Sequence, residues 1–274
     1  MVSRRAAKIT SMVSEPWRFP PSESALYDRE KNPNGIISFG TAENIRIPKC
    51  AFTYAYSSPC SPTLTGPMSE YINMHFKPYA PVLPSHIAVA GGVTALNDVL
   101  SFILAEPGDA ILVNRPTYGR FEVDFCSRAD VKTVYAEAEP LEAFKVGVAK
   151  KYEEALLREE KKGVRVRALI IVNPHNPLGR CYPPETIREL MSFCHERKIH
   201  FISDEIYALS VFDSGEPGAI PFTSALSIDP AGLLDEKYIH VTYGMAKDFS
   251  APGLKLGFLI TRNEQIRRGV GPAR

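Results

Sequence analysis

Short apolar runs recur along the chain from about residue 85 to residue 262, and amphipathic stretches separate them. The clearest is Ala168-Leu-Ile-Ile-Val172, bounded by Arg167 and Asn173. A run this short and this uniformly apolar predicts a strand buried on both faces. Similar runs predict strands at 86–90, 110–113, 131–135, 200–203, 238–242 and 255–261. Helical spacing appears between them, at 93–104, 151–162 and 184–197. Within 151–162, Tyr152, Ala155 and Leu156 share one face, and Arg158-Glu159-Glu160-Lys161-Lys162 forms a solvated one. Pro183-Pro184 suits the start of 184–197, because the first helical turn has no use for the amide that proline lacks. Buried strands alternating with helices predict an α/β fold: a three-layer α/β/α large domain around a mostly parallel sheet.

Residues 1–50 are turn-rich, punctuated by Pro20-Pro21, Asn32-Pro33 and Asn34-Gly35. They read as an N-terminal arm, 51–262 as the large domain, and 263–274 as the start of a further C-terminal segment. Met1 to Met12 carry Arg4, Arg5 and Lys8 with no acid before Glu15, a faint likeness to organelle-targeting segments. They lack an apolar secretory core, so they read as part of a disordered arm.

The 274 residues suffice for one large domain or one and a half ordinary ones. Hydrophobic residues make up 45% and charged residues 23%, as in soluble globular chains. Thirty-two basic against thirty-one acidic residues give a net charge of +1, which steers the chain toward neither nucleic acid nor an anionic membrane. No apolar run reaches the length of a membrane span. The five cysteines, Cys50, Cys60, Cys126, Cys181 and Cys194, form no CxxC pair, which predicts reduced thiols in a cytoplasmic protein. His195-Glu196 followed by His200 superficially matches HExxH, but a spacing of five puts the histidines on different helical faces, so no metal site is expected.

The chemistry gathers where predicted strands end. Lys247 stands in Tyr243-Gly-Met-Ala-Lys-Asp-Phe249, after strand 238–242. Asn173-Pro-His-Asn-Pro-Leu-Gly179 follows strand 168–172, and Ser203-Asp-Glu-Ile-Tyr207 follows 200–203. An amine, an amide, a carboxylate and a phenol thus share the carboxyl ends of strands, where ligands bind in sheets of this kind. Gly91-Gly92-Val93-Thr94 opens a helix and offers backbone amides to a phosphate. GxGxxG is missing, so a nicotinamide dehydrogenase has little support.

These segments resemble the class I/II aminotransferases, fold-type I enzymes that use pyridoxal 5'-phosphate. The chain is most similar to the branch around 1-aminocyclopropane-1-carboxylate (ACC) synthase, fungal members included. The resemblance covers about residues 16–262. It implies that Lys247 joins the cofactor's aldehyde, that Asp204 holds the ring nitrogen protonated, and that Asn176 and Tyr207 hydrogen-bond the ring's phenolic oxygen. It further implies that Tyr118 stacks on the ring and that Gly92, Val93, Thr94 and Lys255 hold the phosphate. Tyr54, with Tyr56 close by, would reach the phosphate of a neighbouring subunit in a homodimer. Glu43, in Gly40-Thr-Ala-Glu-Asn44, would lie near the substrate.

Three departures stand out. Gly244 and Ala246 replace serines that family members often carry before the lysine. Lys255 replaces an arginine, exchanging a planar two-pronged donor for a point charge. The chain stops at Arg274, whereas family members continue through a small domain that holds the arginine for the substrate carboxylate. The expected activity is transamination between an amino acid and an oxo acid, in amino-acid or secondary metabolism. The alternatives are ACC-synthase-like γ-elimination, β-elimination at a carbon–sulfur bond, or a truncated, inactive relative.

Overall fold

The computed structural model describes residue 25, residues 27–36 and residues 62–270. Seven strands form one sheet: β1 (Ile87–Ala90), β2 (Ala110–Arg115), β3 (Lys132–Glu137), β4 (Val166–Val172), β5 (His200–Asp204), β6 (Ile239–Gly244) and β7 (Gly257–Thr261). Their order is β1-β7-β6-β5-β4-β2-β3. β7 runs antiparallel to both of its neighbours, and the other pairs are parallel. Six helices accompany them among the described residues: α1 (Pro62–His75), α2 (Val93–Leu104), α3 (Phe121–Cys126), α4 (Ala149–Glu160), α5 (Pro184–Arg197) and α6 (Glu264–Val270).

Each strand divides its apolar residues between two cores because successive side chains point to opposite faces. Leu169 and Ile171 of β4 join one core with Ile72 of α1, Tyr152 of α4 and Leu190 of α5. Ala168, Ile170 and Val172 join the other with Leu96 and Leu100 of α2, Phe125 of α3 and Ile266 of α6. The result is the expected α/β/α layering. Each fully buried Leu, Ile or Phe contributes roughly 1.5–3 kcal/mol of transfer free energy. α5 begins at the expected proline and ends where Lys198 turns left-handed, φ 54°, its amide reaching the carbonyl of Cys194.

The structure differs from the sequence reading in a few elements. α1 was not anticipated, because Pro67 lies inside it and interrupts the pattern. α3 is six residues long, too short to carry a period. β2 and β3 run to Arg115 and Glu137. β7 begins at Gly257, not 255, because Lys255 is left-handed with φ 50° and cannot continue a strand.

The topology decides where a ligand can sit. β4, β5 and β6 end at the same edge of the sheet. β7 runs the other way and so begins there, with Gly257 in register with both Ala90 and Gly244.

Candidate active site

Glycine builds the floor of this edge. A Cβ on Gly257 would lie 2.4 Å from the carbonyl carbon of Gly92, so the two backbones touch. A Cβ on Gly244 would meet the Leu256 carbonyl oxygen at 2.8 Å and Val93 at 3.3 Å. Gly92 itself has φ 95°, a conformation that side chains resist, and it caps α2. The first-turn amides of α2 therefore open directly over the end of β7 and lack helical acceptors, the arrangement that binds anions. Val93 is half-buried and Thr94 exposed. Thr94 also shares a side-chain hydrogen bond with Tyr118, which follows β2, is half-buried and meets Phe121 edge-on at 5.3 Å.

Asp204 closes β5 between Val172 and Thr242. Only 5% of it is exposed. Burial pushes its carboxyl up to about 7, against the opposing pull of the Ile206 amide, which donates to Oδ1 at 3.2 Å. The charges of Asp124 and Lys247 both act on it, the first raising and the second lowering its pKa. The Asn173 amide donates to the Asp204 carbonyl at 2.8 Å, which ties the loop after β4 to the end of β5. The Asn173 side chain accepts from Tyr182 N–H at 3.0 Å and donates to the Thr223 carbonyl at 2.9 Å. Asn176 follows on this braced loop, half-buried.

Lys247 is half-buried in the turn after β6, its Nζ 5.8 Å from the centre of the Tyr207 ring. Burial raises the Tyr207 phenol above its ordinary pKa, and the charges of Asp204 and Asp248 add to the effect. The structure therefore brings Lys247, Asp204 and Tyr207 within electrostatic reach of one another, with Asn176 on the adjoining loop. Lys255 is exposed, one residue before Leu256, whose carbonyl accepts from Met245 N–H at 3.1 Å. Tyr54, Tyr56 and Glu43 lie outside the described residues.

Three acids behind these groups were not singled out from the sequence. Asp248 accepts from Leu209 N–H at 2.9 Å, Ser210 Oγ at 2.5 Å and Tyr243 Oη at 2.8 Å. Glu205 is wholly buried and accepts from Ser203 Oγ, Ser224 Oγ and the Ala225 amide at 2.9, 2.6 and 2.8 Å; burial lifts its carboxyl to about 7. Asp124, pushed up to about 6 by burial, accepts from Asn97 Nδ2 at 3.4 Å. Position in the motifs was the available signal for Asp248 and Glu205, each next to a singled-out residue. For Asp124 there was none. Among the described residues no group of His, Cys, Asp and Glu is placed to hold a metal ion, and no helix is long and apolar enough to cross a membrane.

Comparison with known proteins shows the family and the fold. The chain is 39% identical over 207 residues to the "probable aminotransferase tcpI" of Claviceps purpurea, covering 74% of this chain and 47% of that protein. It is 31% identical over 266 residues to the human "1-aminocyclopropane-1-carboxylate synthase-like protein 1", covering 89% and 52% respectively. The chain thus spans about half the length of the curated relatives it matches. The solved N-succinyldiaminopimelate aminotransferase of Mycobacterium tuberculosis superposes with a TM-score of 0.64 at 23% identity, over 77% of this chain and 50% of that one, which shows the shared fold. Residues 57–272 match the family described as aminotransferase class I and II, and the chain belongs to that family.

Proposed function

We propose that this chain carries the cofactor half of a pyridoxal-phosphate-dependent aminotransferase that moves an amino group between an amino acid and an oxo acid. The observation that supports this most is the convergence of Lys247, Asp204, Tyr207 and Asn176 at the sheet edge that Gly92 and Gly257 floor. Asp204 tests the fit. It is a buried carboxylate, and among the described residues no ion pair satisfies it. A protonated ring nitrogen supplies the charge that such a group lacks.

When bound, pyridoxal phosphate contributes an aldehyde that condenses with amines and a protonated ring that withdraws electrons from the substrate's α-carbon. Lys247 would hold the aldehyde through its amine, and its free amine would carry a proton to and from the α-carbon. Asp204 keeps the ring nitrogen protonated. Tyr207 and Asn176 would donate hydrogen bonds to the ring's phenolic oxygen, and Tyr118 would pack on the ring. The amides of Gly92, Val93 and Thr94 receive the phosphate, with Thr94 adding a hydroxyl and Lys255 a point charge. The resemblance would have Tyr54 reach the phosphate of a second copy in a homodimer and Glu43 stand beside the substrate; both fall outside the described residues. The protein works in the cytoplasm on small amino and oxo acids.

A second reading keeps the same residues but breaks a different bond, by β- or γ-elimination. Similarity to proteins named for ACC synthase favours keeping it in view. Release of ammonia over many turnovers without a second oxo acid present would select it over transamination, whose first half yields at most one oxo acid per site.

The first test is an absorbance titration of the purified chain with pyridoxal phosphate, beside Lys247→Ala. The expected outcome is a visible band from the cofactor joined to a lysine, fixed by borohydride on Lys247 and missing in the variant. Folded protein that shows no band would remove the reading.

A further inference from the structure

The two ends of the candidate site are joined through one carboxylate. Asp248 follows Lys247 in the chain, while Leu209 and Ser210 follow Tyr207. Oδ2 of Asp248 accepts from Leu209 N–H at 2.9 Å and from Tyr243 Oη at 2.8 Å, and Oδ1 accepts from Ser210 Oγ at 2.5 Å. Tyr243 gives its only hydroxyl proton to Asp248. At the Tyr71–Tyr243 contact of 3.3 Å, Tyr71 must therefore be the donor. The chain of donors runs from α1 through β6 to Asp248, whose donors among the described residues are the neutral groups of Leu209, Ser210 and Tyr243. The charge of Asp248 also acts on Tyr207.

We infer that Asp248 is a positioning residue: its two carboxylate oxygens fasten the Lys247 turn to the segment that carries Tyr207, so that amine and phenol keep a fixed spacing. Ser250 N–H reaches the Lys247 carbonyl at 2.8 Å, and Ala251 N–H reaches Met245 at 3.1 Å, but both bonds lie within the turn itself. The segment from Leu209 to Ile220 belongs to no helix or strand and is largely exposed, with Phe212 80% exposed. Asp248 thus joins the Lys247 turn to this segment through both a backbone amide and a hydroxyl. The tether itself does not depend on the proposed function. Its consequence for Lys247 chemistry does.

Two variants separate geometry from charge. Asp248→Ala removes the acceptors. Asp248→Asn keeps an oxygen for Leu209 and Tyr243, and Ser210 can turn to accept from the new amide, but the charge is gone. In cofactor-free protein, hydrogen exchange of peptides spanning 207–212 is expected to speed up about tenfold or more in Asp248→Ala and to change little in Asp248→Asn, while β4 stays protected in both. With pyridoxal phosphate bound, the pH midpoint of the lysine-dependent band is expected to fall by about one unit in both variants, because a nearby negative charge favours the protonated form. A purely structural role would move the exchange and leave the midpoint unchanged. Unchanged exchange at 207–212 in a folded Asp248→Ala protein overturns the inference. Should that variant fail to fold, Ser210→Ala, which removes one arm of the tether, takes its place: faster exchange at 207–212 supports the inference, and unchanged exchange overturns it. If wild-type protein gives no band, the aminotransferase reading fails, and the exchange comparison still decides the tether.

Discussion

At the residue scale, Asp204 shows stability and function pulling in opposite directions. Its carboxyl is buried, and burial raises its folded-state pKa to about 7, above the ordinary value of 3.8. A raised pKa means that the folded state holds the proton more tightly than the unfolded chain. The stabilisation is fully present below about 4 and is lost as the pH rises through about 7. Above that, cofactor-free protein must keep a negative charge in the core. Asp204→Asn removes this cost and retains an acceptor for the Ile206 amide. Cofactor-free Asp204→Asn is therefore expected to melt at a higher temperature than wild type at pH 8 and at about the same temperature near pH 4. It also removes the charge that would hold the ring nitrogen. Hydrogen bonds to charged groups contribute about 1.5–3 kcal/mol, so cofactor affinity is expected to drop roughly ten- to hundredfold. Melting curves and a cofactor titration on one preparation check both signs. A variant that binds as tightly as wild type would take Asp204 out of the proposed site.

At the element scale, the helix α2 and the strand β7 meet through glycines. Gly257→Ala places a methyl 2.4 Å from the Gly92 carbonyl carbon and 2.7 Å from its oxygen, where no side chain can yield. The N-terminus of α2 must move, at a cost of about 1–3 kcal/mol. Because the proposed phosphate amides ride on that turn, cofactor affinity should fall further than stability alone explains, and a melt beside a titration measures both. Much of this edge was legible in the sequence. β4, β5 and β6 announced themselves as apolar runs, and Asn173, Asp204 and Lys247 stood out as polar residues at or just past their ends. What stayed hidden was what no period records. α3 is too short, α1 carries Pro67, and the partners of Asp248 lie 38 and 39 residues back in the chain, one of them a backbone amide. Residue identity marks a candidate acid, but only the folded chain shows whether a serine or an amide arrives beside it.

At the scale of the whole molecule, the buried acids and the buried histidines respond to acid in opposite senses. Asp204 and Glu205 at the candidate site have raised carboxyl pKa values, each about 7. At the far end, His200 and His240 bond to each other at 2.9 Å, and His240 Nδ1 bonds Thr261 Oγ1 at 2.9 Å. Burial drives His200 down to about 4 and His240 well below its ordinary 6.5, so both stay neutral in the fold. The unfolded chain protonates these histidines first, near 6.5, so their stabilisation is present above that value and is lost as the pH falls toward 4. Between about pH 4 and 6.5 the folded carboxyls bind extra protons while the unfolded histidines do, and the slopes oppose each other. Asp124, raised to about 6, and His175, lowered to about 4, add one group to each side, so the wild-type melting temperature should vary little across this window. Single substitutions unmask the halves. Glu205→Gln leaves the histidines dominant, so melting temperature should rise with pH between 4 and 6.5. His200→Asn leaves the carboxyls dominant, so it should fall. For a domain of this size each kcal/mol of difference moves the midpoint by about 2–4 °C, within reach of a thermal melt at several pH values. Parallel profiles for both variants would show that the two sets do not balance, and that burial in one of them is relieved by water.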